Sequence, residues 1–430
     1  MDIKLTPSRL EGTIRAISSK SDAHRILIAA ALSDKTTVIH CNSDSEDIRA
    51  TISCLNSLGA KITRNGDTIT VVPVSEKGGK AELNCNESGS TLRFLLPVAA
   101  ALGKEAVFTG SGRLPSRPII PLRNEMEKAL ADAMEKKGIK FTPPWQFPIE
   151  ISGELQSGEY ILKGNVSSQF VTGLLFALPV LDGDSTIKLL PPVESRSYIN
   201  MTVNTLSKFG ISVVENGDTY YIKGSQRYIS PEKIFVEGDW SNAAFFLCAG
   251  AINGDVTVTG LREDSLQGDK KVVDILEQMG AYVEKNGNKV RVKSEALHGI
   301  QIDASDIPDL IPVLSVTAAN AKKGVTIVTN AERLRLKESD RLQAICESLT
   351  LMGNVNAQTD DGLVIWCDEK ITGGEVPSYS DHRMAMSAAV AALGSGGEIT
   401  LRGAEAVNKS YPNFFEDFSS LGGSYNVINS

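Results

Sequence analysis

The chain has 430 residues, 42% hydrophobic and 22% charged, an ordinary folded composition in a chain too long for one core, so two or three domains are expected. Forty-four basic against 52 acidic residues leave a charge of −8, which disfavours nucleic acid unless one face concentrates the positive groups. Apolar runs such as 170–181 and 385–393 fall short of the roughly 18 to 20 residues that cross a bilayer, and residues 1–10 mix Asp2, Lys4 and Arg9 with short apolar steps, so no membrane partner, no secretion and a cytoplasmic location are expected.

Six cysteines form no C-x-x-C pair and only four histidines are present, so buried reduced thiols are expected and no metal site.

Along the chain one element recurs six times. A charged helix ends at Leu58-Gly59, Lys137-Gly138, Phe209-Gly210, Met279-Gly280, Met352-Gly353 and Leu421-Gly422, at intervals of 69 to 79 residues. Glycine after a helix supplies the left-handed cap that other residues adopt only with strain. The runs that follow, such as Lys61-Ile62-Thr63 and Tyr282-Val283-Glu284, alternate like strands. A second mark falls once per repeat, where a Ser/Asp/Asn-rich turn leads into a helix apolar nearly all round: 18–22, 86–91, 165–169, 238–242, 304–309 and 378–381. Such turns cap helix N-termini, and such helices belong inside a domain with strands outside them. Closure of the six repeats into two three-repeat domains is predicted, with several helix N-termini available to anions.

Unusual residues decorate those turns. In chain order they are Lys20, Ser21 and Arg25; Gly89 in Asn86-Glu87-Ser88-Gly89; Arg117; Ser167, Ser168 and Gln169; Ser195; Asp309; Lys337, Glu338 and Arg341; Arg383; and Lys409. One surface collecting them would set Lys20, Arg25, Arg117, Lys337, Arg341, Arg383 and Lys409 against Asp309 and Glu338. That suits small substrates carrying phosphate and carboxylate, which arginine forks bind bidentately. Nucleic acid would call for interleaved aromatics, and little beyond Tyr198 is offered.

The stretches Ser19-Lys20-Ser21, Ser88 to Arg93, Ser116-Arg117-Pro118-Ile119, Ser167-Ser168-Gln169, Leu336 to Leu342, Asp381 to Met386 and Lys409 to Pro412 resemble, in order and over nearly the whole chain, the signature of the 5-enolpyruvylshikimate-3-phosphate synthase family. The resemblance implies an α/β fold of two domains, each of three βαβαββ units in an inside-out α/β barrel, with the active site in the cleft between them. One domain would comprise 1–18 and 237–430, the other 19–236.

It also implies a reaction, enolpyruvyl transfer from phosphoenolpyruvate to the 5-hydroxyl of shikimate 3-phosphate in a monomer that needs no cofactor, and it implies roles. Shikimate 3-phosphate would be bound by Lys20, Ser21, Arg25, Ser167, Ser168, Gln169, Ser195, Asp309 and Lys337. Phosphoenolpyruvate would be bound by Lys20, Gly89, Arg117, Gln169, Arg341, Arg383 and Lys409. Asp309 would be the base for the hydroxyl, with Glu338 and Lys20 moving the proton at C3. Glyphosate would compete with phosphoenolpyruvate near Gly89. Glu87 and Arg333 stand where relatives carry Asn. The sister transferase acting on UDP-N-acetylglucosamine is disfavoured, because Lys20 is followed by Ser21 and the loop 112–119 holds no cysteine. An inactive anion-binding scaffold of the same fold is the other alternative, against which the intact Lys20, Asp309 and Glu338 speak.

Overall fold

The structure is a computed structural model that describes residues 1–116, 132–142, 147–165, 167–368 and 370–429. The chain divides into two compact units, one of Met1–Ser19 with Glu237–Ser430, the other of Lys20–Val236. Among the described residues the helices are α1 (Lys20–Ala31), α2 (Glu46–Ser57), α3 (Gly89–Ala101), α4 (Ser168–Ala177), α5 (Arg196–Lys208), α6 (Trp240–Asn253), α7 (Val272–Gln278), α8 (Ile311–Ala319), α9 (Arg341–Leu351), α10 (His382–Ala392) and α11 (Phe414–Ser420). None is long and apolar enough to cross a membrane.

Each unit holds three four-stranded sheets of one design. In the sheet Glu159–Lys163, Ser185–Leu190, Thr219–Ile222, Val213–Asn216, the first two strands pair in parallel and the other two pairs are antiparallel. With α4 after the first strand and α5 after the second, this is one βαβαββ repeat. The other five sheets keep the same sequence of pairings. Three of them are completed from far along the chain, one by Leu10–Arg15, which pairs in parallel with Gly254–Thr259. Lys233–Phe235 returns to pair with Thr37–His40, and the N-terminal strand Asp2–Thr6 lies between Ile399–Arg402 and Ser424–Asn429. These closures let one unit be inserted into the other.

The glycine steps behave as predicted: Gly59, Gly138, Gly210, Gly280, Gly353 and Gly422 all take positive φ, between 76° and 109°. The apolar helices are interior, as predicted. Every residue of α1 from Asp22 to Ala31 is buried, and α8 and α10 are buried along their whole length. Each unit has its own core. Side-chain caps precede α3, α4, α6 and α10, where Ser88, Ser167, Asp239 and Asp381 accept from backbone N–H groups. At α8 the turn does not cap: Leu310 precedes the helix in αR geometry and Pro312 occupies its start, a position where proline's missing N–H costs nothing. All six cysteines are free, five of them buried and Cys346 partly so.

Candidate active site

Helix starts position the marked residues of each unit. In the unit Lys20–Val236, Lys20 opens α1 and its Nζ lies 2.8 Å from the Asp47 carboxylate in the first turn of α2, a pair 15% exposed on both sides. Arg25, one turn on, is buried: Nε donates to Thr202 Oγ1 (3.0 Å), Nη1 to the Ser21 carbonyl (2.6 Å) and Nη2 to the Tyr198 carbonyl (3.0 Å). Its guanidinium also lies over the rings of Phe94 and Tyr198, and burial draws its pKa down to about 10. Three of its five N–H groups are therefore spent within the protein.

Gln169 is held at both ends of its amide. Oε1 accepts from Arg93 Nη1 at 2.7 Å and Nε2 donates to Ser90 Oγ at 2.9 Å. This juxtaposition depends on how closely α3 and α4 approach. Pro97 lies inside α3 and has no N–H to give the Arg93 carbonyl. Gly173 of α4 comes so near that a Cβ there would sit 2.5 Å from that carbonyl oxygen and 3.0 Å from the Pro97 ring. Ser167 caps α4 through the Gln169 N–H, Ser168 is buried, and Ser195 precedes α5 at φ 53°, ψ 36°. Left-handed backbone is costly for a serine. It recurs at Asn86, at φ 48°, and at Tyr379 and Ser380, both at φ 53°, each within or beside a marked turn.

In the other unit the marked residues converge on a buried guanidinium. Arg341, 1% exposed, gives Nε to Asp381 Oδ2 (2.8 Å), Nη1 to Asp309 Oδ1 (2.7 Å) and Nη2 to Glu338 Oε2 (2.7 Å). Arg383 reaches the Asp309 carbonyl and carboxylate, both at 3.2 Å, and Lys337 Nζ stands 3.4 Å from the same carboxylate. Burial would raise the Asp309 pKa, but Arg383, Lys337 and Arg341 together hold it well below the usual range. Burial likewise lowers the pKa of Lys337, against the pull of Asp309. Lys409 Nζ donates to the Ser380 carbonyl at 2.7 Å, one residue from Asp381. Asp309, Lys337, Glu338, Arg341 and Arg383 thus form one cluster, with Lys409 at its border.

Arg117 lies outside the described residues. The Glu87 side chain packs on the neighbouring loop: a Cβ on Gly112 would meet Glu87 Oε1 at 1.7 Å. Arg333 sits in the 3-10 turn Glu332–Leu336. Four side chains that sequence reasoning did not single out belong to these networks: Asp47, Ser90, Arg93 and Asp381. Ser90, Arg93 and Asp381 lie within stretches noted above, Asp381 also as the N-cap of α10, but their partners, like that of Asp47, stand at distances in sequence that no single motif spans.

Two units of three βαβαββ repeats, with cationic side chains and carboxylates at their helix starts, define the enolpyruvyl transferase fold. The enolpyruvyl transferase NikO of Streptomyces tendae shares it at 19% identity and a TM-score of 0.77, over 99% of this chain and 98% of that one. The chain belongs to the EPSP synthase (3-phosphoshikimate 1-carboxyvinyltransferase) family, whose pattern it matches over residues 5–418. It is 41% identical to the 3-phosphoshikimate 1-carboxyvinyltransferase of Clostridium novyi, over 98% of each chain. It is 42% identical to that of Clostridium kluyveri, over 98% of this chain and 97% of the relative. The solved EPSP synthase of Acinetobacter baumannii superposes with a TM-score of 0.81 over the whole of both chains, at 26% identity.

Proposed function

We infer that the chain transfers the enolpyruvyl group of phosphoenolpyruvate to the 5-hydroxyl of shikimate 3-phosphate, releasing phosphate. In the addition step the hydroxyl loses its proton and attacks C2 while C3 gains a proton. In the elimination step a proton leaves C3 as the C2–O bond to phosphate breaks. A hydroxyl is a poor nucleophile and an enol carbon a weak base, so both steps need placed acid and base groups.

The observation that carries the reading is the Asp309 carboxylate, kept ionised by Arg383, Lys337 and Arg341 with Glu338 on the same guanidinium. Asp309 takes the hydroxyl proton and, with Lys337, holds the ring hydroxyls; Glu338 and Lys20 serve C3. Lys20, Ser21 and Arg25 hold shikimate 3-phosphate, with Ser167, Ser168 and Ser195 around its phosphate and Gln169 against the ring. Phosphoenolpyruvate falls to Lys20, Gly89, Arg117, Gln169, Arg341, Arg383 and Lys409, whose fixed charges meet the charge developing in the transition state. A monomer working in the cytoplasm on these two small molecules completes the proposal.

Asp309→Asn tests the assignment. Turnover is expected to fall by about 100-fold or more, on the scale of a lost general base, with the dissociation constant for shikimate 3-phosphate changed far less. Parental turnover would remove Asp309 from the mechanism.

A further inference from the structure

A chain of short hydrogen bonds links three helices of the unit Lys20–Val236 beneath the Gly89 turn. His24 Nδ1 of α1 lies 2.7 Å from Thr51 Oγ1 of α2. Thr51 Oγ1 lies 2.7 Å from Thr91 Oγ1 of α3, and Thr91 Oγ1 donates to Ser88 Oγ at 2.7 Å. Ser88 Oγ also accepts the Thr91 N–H as the cap of α3. All four side chains are buried, His24 and Ser88 at 1% exposure and the threonines at 0%.

Each hydroxyl has one hydrogen, so the direction of the chain can be followed from its end. The Thr91 hydrogen is spent on Ser88. Thr51 must then be the donor to Thr91, and the donor to Thr51 must be His24 Nδ1–H. The ring is therefore one tautomer, with Nε2 bare, and Nε2 is indeed buried with no hydrogen-bond partner among the described residues. Burial, joined by Lys20 and Arg25, outweighs the pull of the Asp47 carboxylate and keeps the ring neutral. At the other end Ser88 accepts twice within the relay, and its own hydrogen is left for an acceptor outside it, next to the Gly89 N–H that opens α3.

We propose that His24 is a positioning residue for phosphoenolpyruvate, fixing through Thr51 and Thr91 the polarity of Ser88 so that its hydroxyl offers a hydrogen, not a lone pair, to the anion at Gly89. A carboxylate or phosphate only accepts. With the other tautomer every bond would reverse, Ser88 would donate inward, and two sets of lone pairs would face each other at the anion. This rests on the assignment of Gly89 to phosphoenolpyruvate.

The test compares His24→Leu, which removes the donor, with His24→Asn, whose Nδ2 overlies the lost Nδ1, and with Thr51→Val, which cuts the relay in the middle. KM for both substrates, kcat and Tm are measured for each. His24→Leu and Thr51→Val are expected to raise KM for phosphoenolpyruvate about five- to ten-fold, the range of one hydrogen bond. KM for shikimate 3-phosphate should move less than two-fold, and His24→Asn should recover most of the loss at a Tm no higher than that of His24→Leu. Equal rises in both KM values, no rise in either, or a loss that follows Tm and not the donor would overturn the proposal. Parent enzyme inactive with the two substrates would instead overturn the functional assignment, and the tautomer would still be checked by 15N NMR, which should show Nε2 unprotonated at neutral pH.

Discussion

Arg341 shows how far one residue can combine stability with function. It is nearly inaccessible and faces three carboxylates, of which Asp381 is wholly buried. Removing the cation from a buried group of this kind leaves charge without compensation and costs about 3 to 5 kcal/mol. Arg341→Ala is thus predicted to lose stability along with activity, which chemical denaturation will show. At the border of the cluster Lys409 donates to the Ser380 carbonyl, and Lys409→Ala is predicted to raise the KM for phosphoenolpyruvate, which steady-state kinetics will show.

Asp269 makes an opposite case. It is 1% exposed, takes a hydrogen bond from Ser241, and has no partner for Oδ1 among the described residues. Burial, then Asp309, raises its pKa to about 7. A folded pKa above the unfolded one means that the contribution to stability is complete below about pH 4 and is lost as pH rises to about 7. Asp269→Asn is predicted to remove that loss. Its unfolding free energy relative to parent should climb between pH 4 and 7, by up to about 1.4 kcal/mol per unit of pKa shift, then level off. A difference that does not vary with pH would contradict the assigned ionisation.

At the scale of elements, the contact of α3 with α4 governs Gln169. Gly173→Ala would drive a methyl into the Arg93 carbonyl and Pro97, and overpacking of this kind costs about 1 to 3 kcal/mol. The helices must part, so the Gln169 bonds to Arg93 and Ser90 should weaken. We predict a lower Tm and a higher KM for both substrates; unchanged kinetics would show that Gln169 does not depend on this contact.

The repeats were readable in the sequence because their signals are local. A glycine after a helix and a Ser or Asp before one act within a few residues, and the positive φ of all six glycines follows. The turn before α8 misled because Ile307-Pro308-Asp309 looks like a cap while Asp309 points its carboxylate at Arg341 and Arg383. Asp47 beside Lys20, Arg93 on Gln169 and the left-handed Ser195 were not legible. The first two pairings join residues 27 and 76 positions apart, and nothing in a serine's neighbours announces αL geometry.

For the molecule as a whole, two units with separate cores share the residues assigned to each substrate. Adding shikimate 3-phosphate and a phosphoenolpyruvate analogue is predicted to raise the unfolding temperature of both units in calorimetry, because ligands bound only by the folded state stabilise it by mass action. A shift confined to one unit would contradict the division of ligands proposed above.

Every role assigned to these residues rests on the reaction itself. Incubation of the purified protein with phosphoenolpyruvate and shikimate 3-phosphate, followed by 31P NMR, tests it most directly. Loss of the phosphoenolpyruvate signal, with equal amounts of inorganic phosphate and a new enolpyruvyl ether of shikimate 3-phosphate appearing, is the predicted result. Persistence of both substrates, or phosphate release without the ether, would contradict it.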